Sequence, residues 1–300
     1  MAIIEQSYYT PLDLKNRSIP ISEEIYFRWL GVAGIELRWA DRVLMLDPFF
    51  TRPPIRYLFG GRVQPDRALV GKWVKSCDYL LITHAHYDHL MDVPEVIRLT
   101  GAKAYGSPNT CELLRMQGVP PEFVGEIKGG ELVDFSDFKV EALPAEHLHL
   151  PVFKPGRLAD DLRPPLRLRD YRMDEPYSYY LELGDKRLLA WCGLDGECKR
   201  AAEVLFLGPL GGGGTYQRLI TSVRPRVIVL IHWDDFFRPL SKPIRPSLTP
   251  PRWSLPPWRR FDPYAYCSQL EARFPGMRVL VPEVFQPYPL NEIVAFNTPT

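Results

Sequence analysis

Three of the chain's six histidines fall within six residues, in the string His84-Ala85-His86-Tyr87-Asp88-His89. Residues two apart at the end of an extended segment face the same way, so His84 and His86 can hold one cation together. If the chain then turns into a helix, Asp88 and His89 point towards a second ion a few ångströms away, and one motif seeds two sites. The other histidines close apolar runs: His147 and His149 end KVEALPAEHLHL, and His232 sits in RVIVLIHW. Alone, each would read as a packed or surface imidazole. Together, imidazoles at strand mouths are how a metal cleft is assembled. Two divalent ions about 3.5 to 4 Å apart lower the pKa of water between them from about 15.7 towards ~7 and polarise a carbonyl or phosphoryl oxygen. Hydrolysis then needs no side-chain nucleophile, and the chain shows neither a GxSxG elbow nor a Walker A loop. Asp88, ligand and acceptor at once, is the residue expected to orient the water.

The elements that must position these groups can be read from the apolar pattern. From Ile25 to Leu46 the runs IYFRWLGVAGIELRWA and RVLML, broken by glycines and by Ala40-Asp41, predict a β-meander stopped at Asp47-Pro48. CDYLLIT (77–83) is a short continuous apolar run, which suits a strand buried on both faces, and the histidine motif follows it directly. MDVPEVIRLTG predicts a helix closed by Gly101, GAKAYGS a strand, and SPNTCELLRMQG a second helix. Residues 131–150 alternate apolar and polar as a half-exposed strand does, and YSYYLELGDKRLLAWCG predicts a hairpin turned at Gly184-Asp185. AAEVLFLG, the helix TYQRLITSV and RVIVLIHW form a β-α-β unit. Two mixed halves of this kind predict two sheets packed face to face with helices outside. One domain over 1–300 is the expectation, with no repeat that would demand a solenoid.

Composition narrows the partners. With 37 Lys and Arg against 36 Asp and Glu, no global charge draws the chain to nucleic acid or an acidic membrane. The start, MAIIEQSYYTPLD, lacks a basic leader, and no stretch approaches the roughly 18 apolar residues of a spanning helix, so a cytoplasmic protein without a transmembrane segment is expected. Five scattered cysteines, with no CxxC pair, read as buried small hydrophobes rather than as disulfides or a thiolate zinc site. Of 31 prolines, many fall in two stretches. Residues 151–176, with six basic against five acidic residues, are positioned as a lid insertion. Residues 236–261 carry six Lys or Arg and no acid, with Trp253 and Trp258, and read either as a grip for an anionic, partly apolar substrate or as a Pro-rich surface loop. Gly211 to Gly214 offer a weaker anion-binding signal through backbone N–H groups. A small-molecule substrate is expected; its charge and homo-oligomerisation stay open.

The order HxHxDH, a histidine about sixty residues on, an aspartate after one apolar strand and a histidine after another resembles the metallo-β-lactamase superfamily. Within it, LGVAGIELRWADRVLMLDPF, PAEH (144–147), LFLGPLGG and IHWDDF look like the branch of UlaG-type lactonases and N-acyl phosphatidylethanolamine phospholipase D, over roughly residues 25–235. The resemblance implies a four-layer αβ/βα sandwich and a metal-dependent hydrolase acting on a phosphodiester, phosphoester or lactone through two divalent ions, zinc or manganese. It implies His84, His86 and His147 on the first ion, Asp88, His89 and His232 on the second, and Asp195 bridging both. Asp47 would steady a ligating imidazole, and His149 would face substrate or pack. One departure stands out: Cys192-Gly193-Leu194-Asp195-Gly196 has one more residue between glycine and aspartate than the family's Gly-Asp-Thr-Gly turn, and a plain Asp-Gly turn is the other reading of Asp195. The same scaffold also carries iron oxidoreductases such as sulfur dioxygenases, so an oxidoreductase and a non-catalytic metal protein are the competing readings.

Overall fold

Short runs of Leu, Val, Ile and Phe without polar alternation become interior strands here, because both of their faces are covered. The computed structural model describes residues 22–148, 153, 155–209, 216–248 and 259–295. The first half contains β1 (Ser22–Gly31), β2 (Gly34–Ala40), β3 (Arg42–Leu46), α1 (Arg67–Trp73), β4 (Tyr79–Leu81), α2 (Tyr87–Leu90), α3 (Val93–Thr100), β5 (Lys103–Gly106), α4 (Pro108–Met116) and β6 (Val124–Glu126). The second contains β7 (Leu132–Asp134), β8 (Lys139–Pro144), β9 (Tyr177–Leu183), β10 (Lys186–Trp191), β11 (Val204–Leu207), α5 (Gln217–Val223) and β12 (Val227–Leu230). A C-terminal stretch adds α6 (Pro263–Arg273), β13 (Arg278–Leu280), β14 (Pro287–Pro289) and α7 (Leu290–Ala295).

Two seven-stranded mixed sheets result, ordered β14-β1-β2-β3-β4-β5-β6 and β13-β12-β11-β10-β9-β8-β7. In each, an antiparallel meander passes into a parallel run: β3 to β6 in the first sheet, β10 to β13 in the second. The burial pattern follows that plan. VLFL of β11 and VIVL of β12 are buried throughout, whereas KVEALP of β8 alternates as a strand with one covered face must. The sheets meet through Phe27 of β1 edge-on to Phe206 of β11, and through Tyr179 of β9, whose hydroxyl donates to the Ile82 carbonyl at 2.9 Å. Helices α3 and α4 cover β5, while α6 and α7 lie on β13 and β1. This is the α/β sandwich expected from the mixed halves.

Local chemistry sets the boundaries. Ser107 caps α4 by accepting from Thr110 N, and Gly101 ends α3 at φ 72°, a left-handed position that suits glycine. Two expectations needed refinement. The first apolar run splits into β1 and β2 at the turn from Gly31 to Gly34, so the meander has three strands. The C-terminal stretch, which the motif pattern left unassigned, supplies an edge strand to each sheet: β14 pairs with β1 and β13 with β12. Phe285, from that stretch, stacks on Trp73 of α1 with ring centroids 3.8 Å apart and planes at 2°. Trp73 is buried, so Trp73→Ala is expected to cost about 3 to 5 kcal/mol in urea unfolding. A cost below about 1 kcal/mol would show that the C-terminal stretch does not rely on that stack.

Candidate metal centre

The functional side chains gather where β3, β4, β8, β10, β11 and β12 all end, the rim at which open α/β sheets present their ligands. After β4 the chain bends at Thr83 and again at His86, which is the N-cap of α2 at φ −71°, ψ 155°; Asp88 and His89 then sit in the helix. His84 and His86 therefore leave from non-helical chain and Asp88 and His89 from a helix, which separates the motif into two pairs.

Other strands complete both pairs. Donor atoms of His84, His86 and His147 lie within 4.8 Å of one another, and so do those of Asp88, His89 and His232. The two groups adjoin, with the His84 and His89 rings 3.9 Å apart between centroids. A cavity of about 30 Å³ is lined by His84, His89, His147 and His232 together with Asp47 and Cys192. Asp88 Oδ2 is 3.6 Å from Nε2 of both His89 and His232.

Hydrogen bonds fix which ring nitrogens face inward. His89 Nδ1 donates to Asp47 at 2.8 Å, and His147 Nδ1 to the Leu148 carbonyl at 3.0 Å, so Nε2 is the nitrogen each ring has left to offer a cation. Asp47 also accepts from Thr83 N at 2.8 Å and from the Thr83 hydroxyl at 2.6 Å, so one carboxylate ties the end of β3 to the motif. Among the described residues His86 Nε2 is buried without a hydrogen-bond partner, and a cation would satisfy it.

Electrostatics suits a cation as well. Burial, with neighbouring imidazoles adding to it, holds His84 well below the usual histidine range. Burial likewise takes His86 down to about 3 and His147 to about 4, so all three are neutral ligands at pH 7. Burial would raise the Asp88 carboxyl, but His89 and His232 outweigh it and keep the group ionised. For His89 burial is again opposed, by Asp47 and Asp88, and the ring ends above its ordinary range. Three neutral imidazoles beside a carboxylate with two imidazoles form a nitrogen and oxygen donor set that fits divalent transition metals.

Of the seven residues expected to bind metal, six lie in these two adjoining groups, and Asp47 contacts His89. Asp195 is elsewhere. Its carboxylate accepts from Leu219 N at 3.1 Å and Arg218 N at 3.4 Å, capping the start of α5. The extra residue explains this: Leu194 N donates to Glu146 O at 2.7 Å and the Trp191 indole to Leu194 O at 2.9 Å, which carries the aspartate past the cavity. Cys192 lines the cavity instead, its thiol donating to Tyr177 O at 3.1 Å and kept protonated by burial. His149, Gly211 to Gly214, Trp253 and Trp258 lie outside the described residues. The basic 236–261 stretch is partly neutralised by the acid just before it, since Arg245 contacts Asp235 at 2.8 Å and Arg260 lies 3.9 Å from it.

Several supporting residues carried no sequence signal for this role. Asp92 looks like a helix N-cap, yet its buried carboxyl accepts from Phe50 N at 2.6 Å and Thr51 N at 2.8 Å, locking the loop after Asp47. Burial pushes Asp92 up to about 6, against the pull of those donors. Gly208, ending β11, leaves room for His232: a Cβ there would lie 3.0 Å from the His232 Cβ.

The family model of the beta-lactamase superfamily domain matches residues 42–203. A UPF0173 metal-dependent hydrolase of Polynucleobacter asymbioticus is 30% identical over 236 residues, 71% of this chain and 75% of that protein. Igni18, a metallo hydrolase of Ignicoccus hospitalis KIN4/I, superposes with a TM-score of 0.56 at 19% identity over 88% of this chain and 97% of that one. CmlA, a diiron β-hydroxylase of Streptomyces venezuelae, shares the fold at TM-score 0.57 and 15% identity, over 91% of this chain and 55% of that one. The chain belongs to the metallo-β-lactamase superfamily. It is a metal-dependent hydrolase, with the histidine and aspartate cluster as its candidate metal site.

Proposed function

We propose that the enzyme is a two-metal hydrolase of a phosphodiester, phosphoester or lactone, with His84, His86 and His147 holding one ion and Asp88, His89 and His232 the other. The observation that carries this reading is the pair of adjoining triads, whose His84, His147, His89 and His232 share one small cavity, with neutral imidazoles in one triad and an ionised carboxylate in the other. Bound there, two divalent ions would bring the pKa of water from about 15.7 towards ~7 and polarise the scissile carbonyl or phosphoryl oxygen. Asp88, facing His89 and His232, accepts the proton of the attacking water and aligns its lone pair. Asp47 holds the His89 ring in place through that cycle. Zinc is the first candidate and manganese the second, since imidazole and carboxylate donors suit both.

Substrate selection falls to the two insertions. Phe153, from the 151–176 segment read as a lid, has its ring 5.4 Å from His86, and Phe236, from the 236–261 loop, has its ring 6.2 Å from His232. Aromatic faces on both flanks favour a small molecule with an apolar part, and the arginines beyond Phe236 favour an anionic one. The likeness of PAEH and IHWDDF to the UlaG-type branch supports the same substrate classes. We place the enzyme in the cytoplasm as one domain with no nucleic-acid role. Among the described residues no helix is long and apolar enough to cross a membrane.

The test is turnover of bis-p-nitrophenyl phosphate and a lactone panel by protein loaded with zinc or manganese. Hydrolysis that tracks metal content supports the reading. Iron with thiol-dependent oxygen uptake would replace it with the oxidoreductase, and loaded protein silent on every ester would leave a binding protein.

A further inference from the structure

Arg52 and Asp234 are 2% and 0% exposed, and neither belongs to the two triads. Burying charge is costly, and a buried pair is weak evidence for stability in itself, so its placement calls for another reason. Arg52 Nη2 lies 2.7 Å from Asp234 Oδ2. The other oxygen of Asp234 accepts from Val32 N at 2.9 Å, and the carbonyl of that same Val32 accepts from His232 N at 2.7 Å. Both polar groups of Val32 are therefore gripped by residues 232 and 234. On the far side, Thr51, next to Arg52, donates its N–H to Asp92 at 2.8 Å, four residues past Asp88.

Backbone conformation points to the same place. Val32, Asp47, Arg52 and His232 are non-glycine residues with φ of 50°, 44°, 44° and 55°, the left-handed region that side chains disfavour. Such conformations persist only where surrounding contacts over-determine them, and they cluster at functional sites. Gly31 makes the approach possible, because a Cβ there would fall 2.1 Å from Arg52 Nη2.

We infer that the Arg52–Asp234 pair is a strut that holds His232 in its left-handed conformation and so sets the affinity of the Asp88, His89 and His232 triad for its ion. Both are positioning residues; the His84, His86 and His147 triad does not depend on them. The inference rests on the two-ion reading above.

Zinc titration of the chelator-stripped full-length chain, followed by calorimetry and by metal analysis after gel filtration, separates the two ideas. Wild type is expected to take two equivalents; a single equivalent would overturn the two-ion reading itself. In Arg52→Met and Asp234→Asn one of the two equivalents is expected to weaken roughly 10- to 100-fold while the other stays within about twofold, and Arg52→Lys restores part of the loss. Two unchanged equivalents in the variants, or parallel weakening of both, would overturn the strut. If Arg52→Met does not fold, Asp234→Asn decides, because its amide oxygen still accepts from Val32 N. Failure of Asp234→Asn to fold also overturns the inference, since the pair would then serve the core rather than the centre.

Discussion

Replacing Asp88 with alanine is expected to cut turnover by far more than the roughly 10- to 100-fold that loss of a supporting contact costs a metal centre. Asp88 is the one carboxylate among the six clustered residues, 8% exposed and 3.6 Å from Nε2 of two histidines. Its removal takes away a ligand, the proton acceptor, and the negative charge that offsets a divalent ion. Asp88→Asn keeps the shape but not the charge and should fall between alanine and wild type. His86→Ala strikes the other triad, and an equal collapse there would show that both ions act in one step. Steady-state kinetics with metal content measured on the same samples checks this. A fully loaded Asp88→Ala enzyme with wild-type turnover would remove Asp88 from the chemistry.

Stripping the metal with a chelator should abolish turnover and lower the thermal midpoint. A site held at about 1,000 times its dissociation constant stabilises the folded state by about 4.1 kcal/mol. The stripped protein should also be acid-sensitive, and the direction follows from the imidazoles. Burial holds His86 and His147 at about 3 and 4 in the fold, below their ordinary 6.5, and His84 is lowered too. Between those values the unfolded chain binds protons that the folded chain refuses. The stabilisation is therefore full above 6.5 and is lost as pH falls towards 4, at up to about 1.4 kcal/mol per unit for each group. His89, raised in the fold, acts in the opposite sense: its contribution is full below 6.5 and is lost as pH rises through its folded pKa. Asp92, raised to about 6, acts in the same sense as His89, and three lowered rings against these two groups leave a net loss on the acid side. Thermal unfolding across a pH series, with and without zinc, reads this directly: the stripped protein should weaken first, and one more stable at pH 5 than at pH 7 would contradict the assignment.

What the sequence showed was what local spacing encodes. HAHYDH carries its own strand-to-helix turn, so the division into two pairs was legible from six residues. The runs AAEVLFLG and RVIVLIHW announced the strands of a β-α-β unit, and the histidines closing apolar runs announced the rim. Contacts between distant segments were not legible. Nothing local says that Asp234 reaches Val32, 202 residues earlier in the chain, or that Asp92 turns from its helix to the loop after Asp47. Asp195 failed for a related reason. Resemblance placed it at the bridge, while the inserted Leu194 gave its carboxylate to α5 and left a cysteine at the cavity wall. The C-terminal strands β13 and β14 are three residues each and carry little pattern, since their pairing is decided by the sheet edges they meet.

The most direct measurement is anomalous diffraction from crystals loaded with zinc or manganese. Two peaks at ordinary coordination distance, roughly 2.0 to 2.2 Å from the ligand atoms, are expected: one among His84, His86 and His147 and one among Asp88, His89 and His232. A single peak, or ions bound away from these side chains, would contradict the account.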